Sequence, residues 1–167
     1  MSSEGSRGRP APIASLEFRR ACGRFATGVT VATVLDARAR PHGLTVNSFA
    51  SVSLAPPLVL LCVGREVSVR NAFGAAEFFG INVLAAGQRD LSERFARPGV
   101  DRFAGVPWHP GKTGAPLLEG VLATLECAVH QRIPSGDHEI LVGEVLHTRV
   151  TDGAPLVFYA SGYHTLG

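Results

Sequence analysis

The chain has 167 residues, 46% of them apolar and 18% charged, with a formal charge of +2. That length suits one domain with a full core, and the composition is globular and not disordered. A charge this close to neutral gives no electrostatic case for binding nucleic acid.

Residues 1–14 are rich in Ser, Gly and Pro, carry Arg7 and Arg9, and contain no apolar h-region. They read as a disordered N-terminal tail and not as a signal peptide, leaving 15–167 as the folded domain. A helix is expected from Ser15 as N-cap, with Phe18, Cys22 and Phe25 at helical spacing and Gly28 as its stop. Val29 to Leu35 is β-branched and reads as a strand. Asp36 to Pro41 is a polar turn. The stretch HGLTVNSFASVS, His42 to Ser53, is expected as the second strand of a hairpin.

Pro56-Pro57 breaks the chain before the apolar strand Leu58 to Val63. The uncharged run Gly43 to Gly64 holds too many hydroxyls, and this proline pair, to suit a membrane span. Arg65 to Ala76 and Gln88 to Phe95 read as short helices on either side of a strand, Phe78 to Leu84. Arg97 to Pro116 is a long Gly/Pro-rich loop holding Trp108, the kind of segment that serves as a lid or an interface. Val121 to Val129 alternates: Val121, Ala123, Leu125, Cys127 and Val129 share one face, with Thr124 and Glu126 on the other. Ser135-Gly136-Asp137 turns the chain into a strand from His138 to Val150, and Pro155 to Tyr159 is the last strand. Strands joined mostly by hairpins predict an antiparallel barrel.

Cys22, Cys62 and Cys127 are odd in number and far apart, without zinc-ligand spacing. They read as reduced, mostly buried residues of a cytoplasmic protein. His42, His109, His130, His147 and His164 show no ligand spacing either. The nucleotide and hydrolase signatures GxGxxG, GxxxxGK[ST], GxSxG and HExxH are absent. An enzyme with this sequence therefore borrows its chemistry from a cofactor or lacks a protein nucleophile. If HGLTVNSFASVS is one strand, Thr45, Asn47, Phe49, Ser51 and Ser53 form a face of neutral donors and acceptors beside an aromatic. Such a face can hold a planar polar ring or a phosphate; a water-facing sheet edge is the alternative.

Several segments in order, GVTVATVLDARARPHGLTVNSFASVSLAPPLVLLCV, FFGINVLAAGQRDLSERFA, RFAGVPWHPGKTGAPLLEGVLATLECAV, GDHEILVGEV and PLVFYASGYHTL, resemble a flavin reductase-like domain. These are the short-chain reductase components of two-component flavin-dependent monooxygenases, and the resemblance runs from about Phe18 to Leu166. It implies a mainly β fold, the FMN-binding split barrel (antiparallel, Greek-key, with a few short helices), usually as a homodimer. It implies an NAD(P)H:flavin oxidoreductase that takes FAD or FMN with NADH or NADPH and passes reduced flavin to a separate monooxygenase.

By position, Thr45, Val46, Asn47, Ser48 and the segment Ser51, Val52 and Ser53 would line the ring system and phosphate. Cys62, Val63 and Gly64 would flank the ring, and Ser68 would reach the phosphate. Asn82 and Leu84 would close the site, with Phe95 and Phe103 near the flavin tail or lid. His138 would lie on the nicotinamide side, with Tyr163 approaching the same pocket. Many relatives carry Arg-Gly where this chain has Ala160-Ser161, which leaves open the choice between NADH and NADPH. A non-catalytic flavin-binding barrel and a pyridoxine-type oxidase compete with this reading. His138 speaks against the first, and the scarcity of cations against the second.

Overall fold

The computed structural model describes residues 11–166, so most of the expected disordered tail, 1–10, lies outside the described residues. Helix α1 (Ser15–Cys22) is followed by strands β1 (Thr27–Gly28), β2 (Thr30–Leu35), β3 (Pro41–Val46), β4 (Ala50–Leu54) and β5 (Pro57–Gly64). Next come helix α2 (Arg70–Ala75), β6 (Phe78–Val83) and helix α3 (Arg89–Ala96). A small hairpin, β7 (Trp108–Pro110) and β8 (Pro116–Leu118), leads to the long pair β9 (Ala123–Ser135) and β10 (His138–Val150). β11 (Leu156–Tyr159) and β12 (Gly162–Thr165) follow.

Seven strands form one antiparallel sheet in the order β3-β2-β6-β9-β10-β5-β4. The sheet curls until β3 lies against β5, leaving a seam between the two edges. This is the split barrel that the hairpin-rich sequence predicts. β2 and β3 form the expected hairpin, with Thr30 opposite Val46 and Leu35 opposite Pro41.

The stretch His42 to Ser53 is not one strand. It breaks after Val46, and the two parts sit at opposite edges of the sheet, β3 beside β2 and β4 beside β5. The single face expected for Thr45, Asn47, Phe49, Ser51 and Ser53 therefore does not exist. Residues 47–49 cross the seam instead. Phe49 tucks onto the barrel core, and the Ser48 hydroxyl accepts the Cys62 N–H at 2.9 Å. That bond replaces the ladder contact the break removes, because a backbone N–H near the core must find a partner.

Two apolar clusters lie on the two faces of the sheet. Inside the barrel are Val34, Leu61, Phe79, Ile81, Cys127 and Leu141. Outside, Val31, Leu84, Phe95, Phe103, Leu118 and Leu156 pack under α3 and the segment that follows it. β2 is buried on both faces for this reason, which suits its unbroken run of small and β-branched residues. Gly43 makes the second layer possible: a Cβ there would sit 2.7 Å from the Phe95 ring.

Several local expectations are corrected. α1 stops at Cys22, where Gly23 donates to the Arg19 carbonyl, and Ala14 stands at its N-cap without a side-chain bond. Phe18, Phe25 and Cys22 are exposed, so this helix lays no apolar stripe on the core and the cysteines are not uniformly buried. The helix expected over Arg65 to Ala76 shrinks to α2. The long loop Arg97 to Pro116 carries the β7–β8 hairpin, anchored by Trp108 set edge-to-face on Phe103 at 5.9 Å. β12 went unseen because Gly162 and His164 dilute its pattern. Between β11 and β12, Ala160 (φ 48°) and Ser161 (φ 65°) form a left-handed pair where glycine or asparagine would be easier.

The alternation on β9 is real, but its polar face is buried. Glu126 is 5% exposed and accepts the Thr113 N–H at 2.7 Å and its hydroxyl at 2.8 Å. Burial pushes this carboxyl up. The bonds from Thr113, the Lys112 N–H and the charge of His147 outweigh that, leaving it below its ordinary value. Glu126 thus clamps the turn between β7 and β8 onto the barrel. A depressed carboxyl stabilises the fold above its unfolded value of about 4.3, and that gain is lost as pH falls through the folded value. Glu126→Gln is expected to cost about 1–3 kcal/mol at pH 7. Melts of both proteins from pH 7 to pH 3 should converge at the acid end; a constant gap would refute the clamp.

Candidate functional site

The seam between β3 and β5 gathers neutral polar groups. On its β3 side, the Thr45 hydroxyl donates to the Ser92 carbonyl of α3 at 2.6 Å. The Ser92 side chain is fully buried, and its hydroxyl meets the Tyr163 hydroxyl of β12 at 2.9 Å. Tyr163 is held further by Phe158, ring centroids 5.3 Å apart, and by the Arg89 guanidinium 5.5 Å over its ring. A cleft of about 170 Å³ opens here, lined by Val29, Thr45, Asn47, Ser92, Phe158 and Tyr163. Asn47 is exposed at its mouth.

On the β5 side, Cys62 is tied to Ser48, and the strand runs on to Gly64, whose register partner on β10 is His138. A side chain at Gly64 would close on His138 Nε2 at 3.7 Å and on Val67 at 3.3 Å. The missing Cβ thus leaves the space of one carbon atom beside the imidazole. His138 is oriented from behind: its Nδ1 lies 2.7 Å from an Asp137 carboxylate oxygen, and the Arg65 N–H donates to the Asp137 carbonyl at 2.9 Å. The bond to His138 is the main cause holding the Asp137 carboxyl below its ordinary value. With Nδ1 so engaged, Nε2 is the free atom of a half-exposed ring.

The structure brings together three groups expected from the sequence: Thr45, Asn47 and Tyr163 at the cleft; Ser48 and Cys62 at the crossing; and Gly64 with His138. Ser51 and Val52 stand exposed on the edge strand β4, with Ser53 half-buried between them and the β4–β5 turn. Ser68 borders a separate depression beside Arg40, His42 and Asn71. Val46 and Val63 point into the barrel core. Leu84, Phe95 and Phe103 belong to the outer apolar cluster and offer a ligand no polar atom. Asn82 is fully buried, its amide donating to the Val31 carbonyl and accepting the Leu118 N–H. Its side chain ties β8 to β2 on the outer face of the sheet. Ser92 escaped sequence reading; a serine between Leu91 and Phe95 on an amphipathic helix was the available signal.

The groups facing the seam are hydroxyls, amides, aromatic faces and one imidazole. No group of three or more metal-ligating side chains exists among the described residues. An antiparallel split barrel with such a seam defines the class of fold to which the chain belongs. The flavin reductase like domain model matches residues 22–167, and the chain belongs to that family. It is 46% identical over 150 residues to the stachydrine N-demethylase reductase subunit of Rhizobium meliloti, covering 90% of this chain and 61% of that protein. It is 46% identical over 140 residues to an NADH-dependent FAD reductase of Streptomyces globisporus, covering 81% and 76%. A solved Streptomyces globisporus NADH:FAD oxidoreductase, in complex with NAD and FAD fragments, superposes with a TM-score of 0.86. That protein is 41% identical, over 91% of this chain and 92% of its own. The chain spans about half the length of some other curated relatives it matches.

Proposed function

We propose that this chain is an NADH-dependent flavin reductase that supplies reduced FAD or FMN to a separate flavin-dependent monooxygenase. The observation that carries the reading is the neutral polar lining of the seam around Thr45, Asn47 and Ser48, together with an oriented imidazole, His138, at the end of the strand that Cys62 and Gly64 close. Relatives named as reductase components of monooxygenases support the partner. The seam suits a flavin in chemical character, since the Thr45–Asn47 cleft is lined by neutral polar and apolar groups and by no charged side chain.

Bound there, the flavin supplies N5 as acceptor of hydride from the nicotinamide C4. The chain's part is placement. Thr45, fixed by Ser92, and Ser48, fixed by Cys62, hold the crossing rigid so that backbone N–H groups of 47–49 face the ring. His138 presents Nε2 toward the hydride donor, and Asp137 keeps the imidazole from turning. Uncharged contacts favour developing negative charge without trapping the product, which suits a flavin that must leave. The test is direct: protein, NADH and excess FMN or FAD, with loss of the NADH absorbance. No turnover with either flavin would overturn the reading.

Ser48→Leu removes the acceptor of the part-buried Cys62 N–H and puts bulk into the crossing. It is expected to weaken flavin binding about 5- to 150-fold in a folded protein. Wild-type affinity by fluorescence titration would place the flavin elsewhere.

The chain is further proposed to be a homodimer. Leu16 and Phe18 of α1 are 62% and 57% exposed, and Leu54 of β4 is 95% exposed. Unpartnered apolar side chains on this scale call for a covering surface. Light scattering should give twice the mass of one chain at micromolar concentration; a monomer would refute it. No described helix is long and apolar enough to cross a membrane. A cytoplasmic setting is proposed from the three free cysteines and the use of NADH.

A further inference from the structure

Ser92 lies on α3 where that helix packs over β3, and its side chain is fully buried. It bonds both walls of the Thr45–Asn47 cleft at once. Its carbonyl accepts the Thr45 hydroxyl at 2.6 Å, and its own hydroxyl lies 2.9 Å from the Tyr163 hydroxyl. Each hydroxyl carries one proton, so the direction of each bond follows from where the protons must go. Thr45 gives its proton to the Ser92 carbonyl and turns only lone pairs to the cleft. The Ser92 hydroxyl makes no other hydrogen bond among the described residues. Were it to accept from Tyr163, its own proton would be buried and unpaired, which costs more than one bond returns. It therefore donates to the Tyr163 oxygen. That leaves the phenolic proton free, on a half-buried residue that borders the cleft.

The phenol is fixed in place. Phe158 meets its ring edge-to-face, and Arg89, itself held by Glu93 at 2.8 Å, lies over the ring. The cleft thus shows a ligand an acceptor at Thr45 and a donor at Tyr163, in set positions and with opposite polarity. A flat ring matches that pattern along an edge where an N–H stands near a C=O.

We infer that Ser92 is a positioning residue: by taking the proton of Thr45 and giving its own to Tyr163, it makes the cleft select an amide-type ring edge. The inference deepens the reading of this chain as a flavin reductase and rests on it for the ligand. Two sources share that chemistry, the pyrimidine edge of a flavin and the carboxamide of a nicotinamide.

The chain has two tyrosines, so a Tyr159→Phe protein grown on 3-fluorotyrosine carries fluorine at Tyr163 alone. Ring fluorine makes a phenol a better donor and a poorer acceptor with little change of shape. Against unlabelled Tyr159→Phe, one constant should fall about twofold or more. It is the flavin Kd if the cleft takes the flavin edge, and the KM for NADH if it takes the carboxamide. A rise in that constant, or no change in either, would overturn the inference.

Ser92→Ala and Tyr163→Phe should each raise the same constant about fivefold or more. The double variant should bind no worse than Tyr163→Phe, because the Ser92 hydroxyl acts only through the phenol; additive losses would overturn the inference. Melting separates this role from a merely structural one. Tyr163→Phe strips the buried Ser92 hydroxyl of its acceptor and should lower Tm by roughly 2–8 °C. Adding Ser92→Ala should restore Tm and leave binding weak. A double variant that regains wild-type binding along with its stability would refute the positioning role. If Tyr163→Phe does not fold, the fluorotyrosine protein decides alone. Wild-type protein without turnover on either flavin would strike the reductase reading instead, and the melting series, which needs no ligand, would still test the Ser92–Tyr163 bond.

Discussion

Replacing His138 with alanine is expected to lower kcat/KM for NADH about 5- to 150-fold and to leave flavin affinity unchanged. The ring is placed by three features independent of any ligand. The Asp137 carboxylate holds Nδ1, the Arg65 N–H holds the Asp137 carbonyl, and Gly64 leaves the space beneath Nε2 open. In the proposed reaction hydride passes directly between stacked rings and needs no protein proton, so the part proposed for the imidazole is to orient the donor. The loss is the worth of one good contact, roughly 1–3 kcal/mol. Asp137→Asn tests the same idea from behind. It keeps the shape but weakens the hold on the ring, and a smaller loss in the same parameter is expected. Anaerobic stopped-flow reduction, with flavin affinity titrated separately, distinguishes the two effects. Unchanged hydride-transfer kinetics, or a loss confined to flavin binding, would remove His138 from the site.

What the sequence made legible divides along a physical line. Features set by local periodicity were readable: the β2–β3 hairpin, the long β9–β10 pair with its Ser135-Gly136-Asp137 turn, and α3. The antiparallel barrel followed from their sum. What depends on closure was not. The break at Asn47 carries no proline or glycine, and its cause is tertiary: the chain must leave one sheet edge and join the other. A period-2 reading cannot see that, so it laid Thr45 and Ser53 on one face when they belong to opposite edges.

The same limit governs the site. Thr45 and Asn47 were singled out by the strand-face reading and Ser48 by the family resemblance, and all three lie at or beside the seam. Asn82 was placed there too, although its amide is spent on Val31 and Leu118. Type and position alone cannot tell a satisfied buried amide from a free one. Ser92 was missed for the converse reason. It looks like an ordinary surface residue in sequence and is buried only because the segment around α3 folds over β3.

Gly143→Val is expected to be the most damaging single change to the fold. Gly143 lies on β10 where the register with β9 shifts between Val142 and Gly143, and β5 flanks its other side. A Cβ built there would overlap the Phe79 ring and come within 2.9 Å of the Cys127 Cβ. Both neighbours are fully buried in the barrel interior, so neither can swing into solvent. Overpacking a rigid site of this kind costs about 3 kcal/mol, and more when the backbone must move. For a chain of this size that is a fall in Tm of roughly 6–12 °C. Gly74 supplies the contrast. It sits exposed on α2, and a Cβ there would meet no atom within 4 Å. Gly74→Ala should therefore hold or raise the melting temperature, since alanine is the better helix former. Trimming the obstructing ring, Phe79→Leu, should recover part of the loss in the Gly143→Val background, because two residues in contact couple non-additively. Calorimetry of the four proteins decides. A Gly143→Val variant that melts with the wild type would mean that the barrel interior has slack at Phe79 that this packing does not contain.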